Sequence, residues 1–283
     1  MIGKLLKRWR MRRRIFGIDE PMDNSGLDQT DWEKRIEITC SSPDNLKIPR
    51  VENAGTYQGR SIVMHNGVLI APFSYYGEGI FNLLVRNRGV HEPQEEHVFQ
   101  EVIKALPESP VMLELGSYWG FYSLWMLEER PRARCFLVEP EDFNLEAGKV
   151  NFRLNRRKGK FIRGFAGSLP EGCDESIPLI QVDDFLEKKG IRHLDMLHAD
   201  IQGAEAEMLR RAEVSLSRKA IGFVFISTHW PEVHDECLKM LRGHNYSIVS
   251  QSTVEQSFSH DGLIVARSPL IKGPDYYPIS LRV

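Results

Sequence analysis

Short apolar runs alternate with segments of helical periodicity over the C-terminal two thirds of the chain. The runs begin near Val111, Arg134, Phe161, Leu194 and Ala220, and most are followed by apolar residues spaced three or four apart. Runs of this kind are typical of strands buried on both faces of a parallel sheet. The alternation therefore predicts an α/β fold, a doubly wound Rossmann-like sheet with helices on both faces. The last two strands, Tyr246–Gln251 and Gly262–Ala266, follow one another without a helix and predict an antiparallel edge.

The pattern before residue 91 is different and predicts three segments: a basic tail at 1–16, a linker with a small β cap at 17–90, and the α/β domain at 91–283. In the cap, Asn66-Gly67 separates two apolar runs, and this dipeptide is typical of a hairpin with a type I′ turn. Further short strands are predicted at Arg35–Cys40 and Phe81–Arg86.

A charged stretch, His91–His97, precedes the helical segment Val98–Leu106. Its residues Glu95, Glu96 and His97 are expected to form a first helical turn that faces water, where acidic side chains complement the helix dipole.

Composition is that of an ordinary globular protein, with 42% apolar and 27% charged residues among 283. The sequence has no apolar run of membrane-spanning length and no signal-peptide pattern at its start, which favours the cytoplasm. Four cysteines are scattered without paired metal spacing, so reduced thiols are expected and no zinc site is visible.

The formal net charge of −2 hides an asymmetry. Residues 1–14 contain seven Lys or Arg and no acid, which leaves −9 for the rest of the chain. Apolar residues are interleaved with these charges, so a helix here has an apolar side that suits the anionic inner face of a membrane. A solvated, frayed tail is the alternative. Nucleic acid is not expected as a partner, because the body of the protein is acidic.

The loop after the first strand, Gly116-Ser117-Tyr118-Trp119-Gly120, opens directly into a helix. Gly116 permits a sharp turn, and the N–H groups at the start of the helix face the crevice at the carboxyl end of the strand. Glu114 lies beside this loop, and a carboxylate there repels a pyrophosphate and attracts a sulfonium or ammonium group. The loop therefore favours S-adenosylmethionine over a dinucleotide.

Two further strand ends complete the predicted cofactor site. Glu139-Pro140 ends the second strand at the spacing of an acid that accepts the ribose hydroxyls, although it also suits a helix start. Ala166-Gly167 ends the third strand with small side chains that leave room for adenine, or forms only a turn.

Asp200, at the end of the fourth strand, is the main catalytic candidate because it opens onto the same edge as Glu114 and Glu139. Three carboxylates so close imply a positive ligand, a metal or a raised pKa. Glu205 is expected to complement a helix dipole. His229 follows the fifth strand and is placed to take a proton or bind a metal. Weaker candidates are His234, His260 and Asp261.

These motifs together resemble the FkbM family of S-adenosylmethionine-dependent methyltransferases over roughly residues 89–267. The matching pieces are Leu113–Gly116 with Gly120, Val138-Glu139-Pro140, Asn151–Asn155, Val182–Phe185 and, most specifically, Asp200-Ile-Gln-Gly-Ala-Glu205. The resemblance implies that the first two motifs, with Glu114, Gly116, Gly120 and Glu139, bind the cofactor; Ser117 and Tyr118 fall within the same loop. The sequence departs from the family at Ser117-Tyr118-Trp119, at His198 in place of a frequent lysine, and at Gln202 in place of a frequent glutamate.

The expected reaction is O-methylation of a hydroxyl on a sugar, glycan or other polar metabolite, with Asp200 and His229 as base, orienting group or ligands to a divalent metal whose involvement is undecided. Two other classes stay open. One is an NAD(P)-dependent oxidoreductase, although position 118 is Tyr where a pyrophosphate loop needs Gly. The other is a non-catalytic module that only retains the cofactor. The sequence does not predict an oligomeric state.

Overall fold

The computed structural model describes residues 2–23 and 25–282. The first third of the chain contributes helices around a small sheet. Its elements are α1 (Ile2–Ile15), α2 (Gln29–Ser41), a 3-10 turn (Pro43–Leu46), β1 (Tyr57–Gln58), β2 (Ser61–Val63), β3 (Leu69–Ile70), α3 (Gly77–Arg86) and α4 (Pro93–Ala105).

Two of the strands predicted in this region are wrong. Arg35–Cys40 lies inside α2, where Trp32, Arg35, Ile36 and Thr39 are buried at helical spacing. Asp28 caps this helix by accepting the Asp31 N–H at 2.9 Å. Phe81–Arg86 lies inside α3, whose buried residues include Ile80, Leu83 and Leu84. In both cases a short apolar stretch was compatible with either period, and packing against neighbouring helices selected the helix.

The predicted hairpin is present, since β2 pairs antiparallel with β3, but its turn is not type I′. The Met64 N–H donates to the Val68 carbonyl across a three-residue loop. Gly67 alone takes a positive φ, at +88°. A three-residue loop needs only this one left-handed residue, so the turn geometry that Asn66-Gly67 favours does not form.

A seven-stranded sheet forms the centre of the molecule, in the order β11-β12-β10-β9-β4-β5-β6. Its strands are β4 (Val111–Leu115), β5 (Arg134–Glu139), β6 (Lys160–Arg163), β9 (Leu194–Ala199), β10 (Ile221–Thr228), β11 (Ser247–Ser252) and β12 (Gly262–Arg267). A separate pair consists of β7 (Phe165–Ala166) and β8 (Leu179–Ile180). The connecting helices are α5 (Phe121–Glu129), α6 (Asp142–Leu154), α7 (Val182–Lys189), α8 (Glu205–Arg210), α9 (Glu213–Ser217) and α10 (Pro231–Gly243).

This topology confirms the doubly wound, Rossmann-like prediction. The strands β6, β5, β4, β9 and β10 are parallel, and β12 runs antiparallel to both β10 and β11. The chain leaves β4 for β5 on one side and returns to β9 on the other, so the strand order reverses beside β4. A crevice opens at such a point beyond the carboxyl ends of the strands.

Two apolar cores cover the two faces of this sheet. One contains the side chains of α4 and α5 with Phe225, and the other packs α7, α8 and α10 against Leu197. A smaller core joins α1 to α6 through Ile15, Ala147 and Val150. Among the described residues, no helix has the length and apolar character needed to cross a membrane.

Candidate functional site

A cleft of about 550 Å³ opens at the carboxyl edge of β4, β5 and β9, where the strand order reverses. The loops after these strands form its floor, and the segment before α3 and the start of α10 form its walls. Its lining residues are Tyr75, Tyr76, Gly116, Tyr118, Glu139, Pro140, Glu141, Asn144, Gly164, Phe165, Ala166, Ser168, Pro170, Asp200, Ile201, Gln202, Gly203, Ala204 and Trp230.

The structure brings most of the predicted cofactor residues to this cleft. Those that line it are Gly116, Tyr118, Glu139, Pro140, Ala166 and Asp200. The others lie behind the lining: Ser117 is buried, Gly120 begins α5, and Gly167 packs on Ala204. Glu114 also does not line the cleft, because its side chain points into the protein beneath the loop.

Backbone conformation around the cleft requires glycine at Gly116. This residue has φ +70°, and a Cβ atom added there would lie 1.7 Å from the Asp200 carbonyl oxygen. The loops after β4 and β9 therefore touch through backbone alone. Three lining residues that are not glycine, Tyr76, Tyr118 and Gln202, also have positive φ. Such conformations are costly for residues with a Cβ and gather at functional sites.

Glu139 holds the next loop together from the end of β5. Its carboxylate accepts N–H groups from Tyr118 at 3.1 Å and from Glu141 at 2.9 Å, and it also accepts the side-chain amide of Asn144 at 3.3 Å. Burial raises the pKa of Glu139 to about 7, against these hydrogen bonds, which lower it.

Asn144 is a cleft residue that the motifs did not indicate. It is 6% exposed, and its Oδ1 atom has no hydrogen-bond partner among the described residues. A buried amide oxygen without a donor is unfavourable, so a ligand that offers an N–H or O–H group is favoured here. Its position, five residues after Glu139 in the first turn of α6, was the only signal in the sequence.

Asp200 and His229 meet as the sequence predicted. The Nε2 atom of His229 lies 3.3 Å from Asp200 Oδ1 and 3.3 Å from Asp261 Oδ1. Its Nδ1 atom lies 3.1 Å from Glu205 Oε1, so both ring nitrogens face carboxylates. Asp261, a weaker candidate in the sequence, thus belongs to the same cluster.

These contacts favour one role for His229. Despite the cost of burial, the three carboxylates raise the pKa of His229 to about 11, which favours a protonated ring. A protonated ring donates from both nitrogens, so the Gln202 amide, whose nitrogen lies 2.8 Å from Nε2, would then turn its oxygen toward the ring. An imidazolium cannot accept a proton. It can hold the Asp200 carboxylate in place, which is the orienting role. Burial and the negative charge of Asp200 also raise the pKa of Asp261 to about 7.

Glu205 acts at the start of α8, where a helix-dipole acid was expected. Its Oε1 atom accepts the N–H groups of Ile201 at 3.3 Å and Gly203 at 3.0 Å. The side chain is fully buried, and it also contacts His229 as described above. Glu205 therefore fixes both the loop after β9 and the imidazolium.

Beneath the cleft, Glu114 belongs to a second buried group. Its Oε2 atom accepts the Ser123 N–H at 3.2 Å, and burial raises its pKa to about 7. In the sheet Glu114 lies beside His198, whose Nε2 atom contacts Glu95 Oε1 at 2.7 Å. His198 is the position at which the resemblance implies a frequent lysine. Glu95 receives a further hydrogen bond from Ser227 at 3.2 Å.

The start of α4 is buried, so the expectation that its charges face water was wrong. His91 lies between two carboxylates, with Nδ1 2.6 Å from Glu96 and Nε2 3.1 Å from Glu92. The opposing charges raise the pKa of His91 to about 10. The Tyr122 hydroxyl donates to Glu92 at 2.7 Å. Acids and histidines pair their charges here, which the one-dimensional pattern could not distinguish from a solvated helical turn.

An aromatic wall stands above Asp200. Tyr75 stacks on Trp119 with ring centroids 4.6 Å apart, and it meets Tyr118 edge-to-face at 4.8 Å. Tyr76 also contacts Tyr118, at 5.3 Å. Trp230 lines the opposite side and is 51% exposed. The bulky Tyr118-Trp119 departure from the family pattern thus connects the cofactor loop to the segment before α3.

The charged side chains that line the cleft are all acidic. The lining contains the carboxylates of Glu139, Glu141 and Asp200, and none of its described residues is Lys, Arg or His. No group of three or more His, Cys, Asp or Glu residues in 2–23 and 25–282 has an arrangement that could hold a metal ion.

Comparison of the sequence with models of protein families indicates the class of protein. Residues 170–248 match the model of the Methyltransferase FkbM domain family, a range that includes Asp200–Glu205 and His229 but not the Gly116–Gly120 loop. The fold is of the Rossmann-like α/β class, and the match confirms the resemblance to FkbM methyltransferases over residues 170–248. None of the curated proteins matches the sequence.

Several solved methyltransferase structures are similar at low identity. The FkbM methyltransferase of Methylobacillus flagellatus KT has 16% identity and a TM-score of 0.47; the match covers 57% of this chain and 44% of that one. TrmK of M. capricolum in complex with S-adenosylhomocysteine has 14% identity and a TM-score of 0.43, with 62% and 69% covered. Aeropyrum pernix fibrillarin with bound S-adenosylmethionine has 19% identity and a TM-score of 0.39, with 57% and 68% covered.

Proposed function

We propose that the cleft binds S-adenosylmethionine and that the chain transfers its methyl group to a hydroxyl of a sugar, a glycan or another polar metabolite. The observation that carries the proposal is the lining at the reversal point of a Rossmann-like sheet: it contains Glu139, Glu141 and Asp200 and no described Lys, Arg or His, while His229 contacts Asp200 from outside the lining. A cationic ligand is favoured there and a pyrophosphate is repelled. The FkbM domain match supports the same reaction class.

The residues present fit this cofactor. Glu139 would accept the ribose hydroxyls, and the unpartnered Asn144 Oδ1 would accept a further donor. Gly164, Phe165 and Ala166 line the same cleft and would contact the adenine ring. When bound, S-adenosylmethionine supplies a methyl group on a positively charged sulfur, which is already activated toward a nucleophile.

Asp200 is the proposed general base. Its Oδ1 atom contacts His229, whereas its Oδ2 atom accepts no hydrogen bond from the described residues. The side chain is 21% exposed and lines the cleft, so an acceptor hydroxyl can reach Oδ2. As the hydroxyl oxygen bonds to the methyl carbon, the carbon–sulfur bond breaks and Asp200 takes the hydroxyl proton. The imidazolium of His229 holds the carboxylate and compensates its charge.

The acceptor is expected to be uncharged or cationic near the reacting hydroxyl. Aromatic faces at Tyr76, Tyr118 and Trp230 suit the apolar face of a sugar ring, and Gln202 adds an amide that can bind hydroxyls. A nucleic acid fits less well, because phosphate binding depends on Lys and Arg, which the described lining does not contain.

Ligand binding tests the cofactor. S-Adenosylhomocysteine at about one hundred times its Kd should stabilise the protein by about 2.7 kcal/mol, seen as a rise in Tm, whereas NADH should leave Tm unchanged. If Tm rose with NADH and not with S-adenosylhomocysteine, the cofactor proposal would be wrong and the oxidoreductase alternative would be favoured.

Turnover then tests the reaction. Incubation with S-adenosylmethionine and a panel of glycans and sugar derivatives should produce S-adenosylhomocysteine and a methyl ether in equal amounts. Cofactor binding without turnover on any acceptor would favour the non-catalytic module. Methylation of a nitrogen or carbon atom of the acceptor would leave the proposed cofactor site intact but would show that the acceptor group is not a hydroxyl.

A further inference from the structure

We propose that the exposed face of α1 docks the chain on an anionic membrane surface. This inference concerns a surface outside the cleft and does not depend on the proposed reaction.

The helix is held in one orientation, so its outward face is defined. Ile15 is fully buried against Phe143, Ala147 and Val150, with Met11 packed beside it. Ion pairs reinforce this contact, with Lys7 Nζ 2.5 Å from Asp142 and Arg12 Nε 2.8 Å from Glu146. The frayed-tail alternative does not describe this part of the chain.

The side of α1 away from Ile15 carries large exposed apolar residues, and Leu6 and Trp9 on this side also border an open groove that Glu141, Asp142 and Phe143 line from the body of the protein. Leu5 is 61% exposed, Leu6 52% and Trp9 55%, and their spacing of one and four residues places them on one side of the helix. Large exposed apolar residues grouped in this way mark a binding surface. A tryptophan beside leucines is typical of helices that lie in the interface of a bilayer.

Basic residues flank this apolar face. Arg13 stacks over Trp9, with its guanidinium carbon 4.8 Å from the ring centroid. Arg10 and Arg14 form no ion pair with the described residues, whereas Lys7, Arg8 and Arg12 pair with α6 and Arg13 pairs with Asp19 at 2.7 Å. The unpaired cations can contact anionic lipid headgroups while the neighbouring apolar side chains enter the acyl region of the bilayer.

A membrane fits this face better than a nucleic acid does. Phosphates of a nucleic acid would engage the arginines but would leave Leu5, Leu6 and Trp9 in water. A bilayer surface takes both groups together. Since the rest of the chain is acidic, α1 would also set the orientation of the protein on the surface. The helix borders the cleft, because Glu141 lines both the cleft and the groove beneath α1.

Vesicle co-sedimentation of the full chain tests the proposal. Binding should be strong to phosphatidylcholine vesicles that contain roughly 30% phosphatidylserine, weak to phosphatidylcholine alone, and reduced by salt. The triple variant Leu5→Ala, Leu6→Ala, Trp9→Ala and the double variant Arg10→Gln, Arg14→Gln should each weaken binding about tenfold or more. The matched control Leu46→Ala, Leu270→Ala removes two exposed leucines elsewhere and should bind as the wild type does.

Circular dichroism and Tm of every variant should match those of the wild type, since the substituted side chains lie outside the apolar core that joins α1 to α6. Binding to neutral and anionic vesicles alike, or unchanged binding by the triple variant, would overturn the proposal. It would also be overturned if a structured RNA bound more tightly than vesicles and only the arginine variant lost that binding.

Discussion

At the scale of single residues, the site depends on how buried carboxylates are compensated. Asp200 and Glu205 share the imidazolium of His229, whereas Glu114 and Glu139 are held mainly by N–H donors. The contacts with carboxylates raise the pKa of His229 to about 11, whereas burial raises the pKa of Glu114 and Glu139 to about 7. Burial and the charge of Asp200 also raise the pKa of Asp261 to about 7 although Asp261 contacts the imidazolium, so burial dominates at these acids.

Asp200→Asn should lower kcat by about a hundredfold to ten-thousandfold, because an amide cannot accept the hydroxyl proton. The measurement is the initial rate of S-adenosylhomocysteine formation, with cofactor binding checked in parallel. Asp184→Asn, a change of the same kind at an exposed position, should retain full activity. Full turnover by both Asp200→Asn and His229→Ala would remove these two residues from the mechanism.

Glu114→Gln should stabilise the protein at pH 8 by about 2 kcal/mol and have little effect at pH 5. The pKa of Glu114 is raised to about 7 by burial, from 4.5, so the folded state keeps a proton that the unfolded state releases between these values. Stability is therefore lost as pH rises through this window, and glutamine removes the loss.

Urea unfolding of wild type and variant across pH 5 to 8 measures this difference. Exposed Glu78 serves as the control, since Glu78→Gln should show no pH-dependent gain. A gain that is equal at both ends of the pH range would mean that Glu114 does not titrate there.

At the scale of elements, the cleft is built from the ends of parallel strands. The loops after β4 and β9 approach so closely that backbone touches backbone at Gly116 and Asp200. Helix α4, which precedes the large sheet in sequence, places its buried acids under the same edge through the His198–Glu95 contact. The small sheet and α3 then bring Tyr75 and Tyr76 over the opening.

Gly116→Ala should destabilise the protein by more than about 3 kcal/mol and abolish cofactor binding, because its Cβ would overlap the Asp200 carbonyl oxygen. Gly190→Ala isolates the cost of the backbone conformation: Gly190 has φ +63° with no atom within 4 Å of an added Cβ. That control should lose about 1 kcal/mol. Chemical unfolding and titration with S-adenosylhomocysteine measure both effects, and equal losses in the two variants would contradict the close approach.

At the scale of the whole molecule, the N-terminal part is joined to the sheet rather than appended to it. Leu69 of the small sheet and Ala71, just after it, donate N–H groups to Asn155 and Asn151 at 2.8 and 2.9 Å. Near the other end of the chain, Ser280 donates to Asp44 at 2.8 Å. Segments far apart in sequence thus brace the helices that surround the cleft.

Ile15→Ala should lower the free energy of unfolding by about 2–4 kcal/mol, since it leaves a cavity between α1 and α6. Ile18, three residues further along the chain, is 57% exposed, and Ile18→Ala should change stability by less than about 0.5 kcal/mol. Denaturant titration compares the two variants. Equal stability would mean that α1 does not pack on α6 in solution.

Several features follow from the sequence alone because they depend on local periodicity and on rules of parallel sheets. Buried strands at Val111, Arg134 and Leu194 must end at one edge, so the order of residues along the chain is enough to place Gly116, Glu139 and Asp200 together. The antiparallel end of the sheet follows from the absence of a helix between its last two strands. The FkbM resemblance rests on the same strand ends.

Only the tertiary structure decided which side chains face the cleft and which charges are buried. The Glu114 side chain is buried away from the cleft, and Glu95 and Glu96 of α4 contact His198 and His65 from distant segments, contacts that periodicity does not encode. The same holds for α2 and α3, whose short apolar stretches fit either period until neighbouring helices select one. Local pattern determines where a strand or helix can form, whereas the partner of a buried charge depends on residues brought together from elsewhere in the chain.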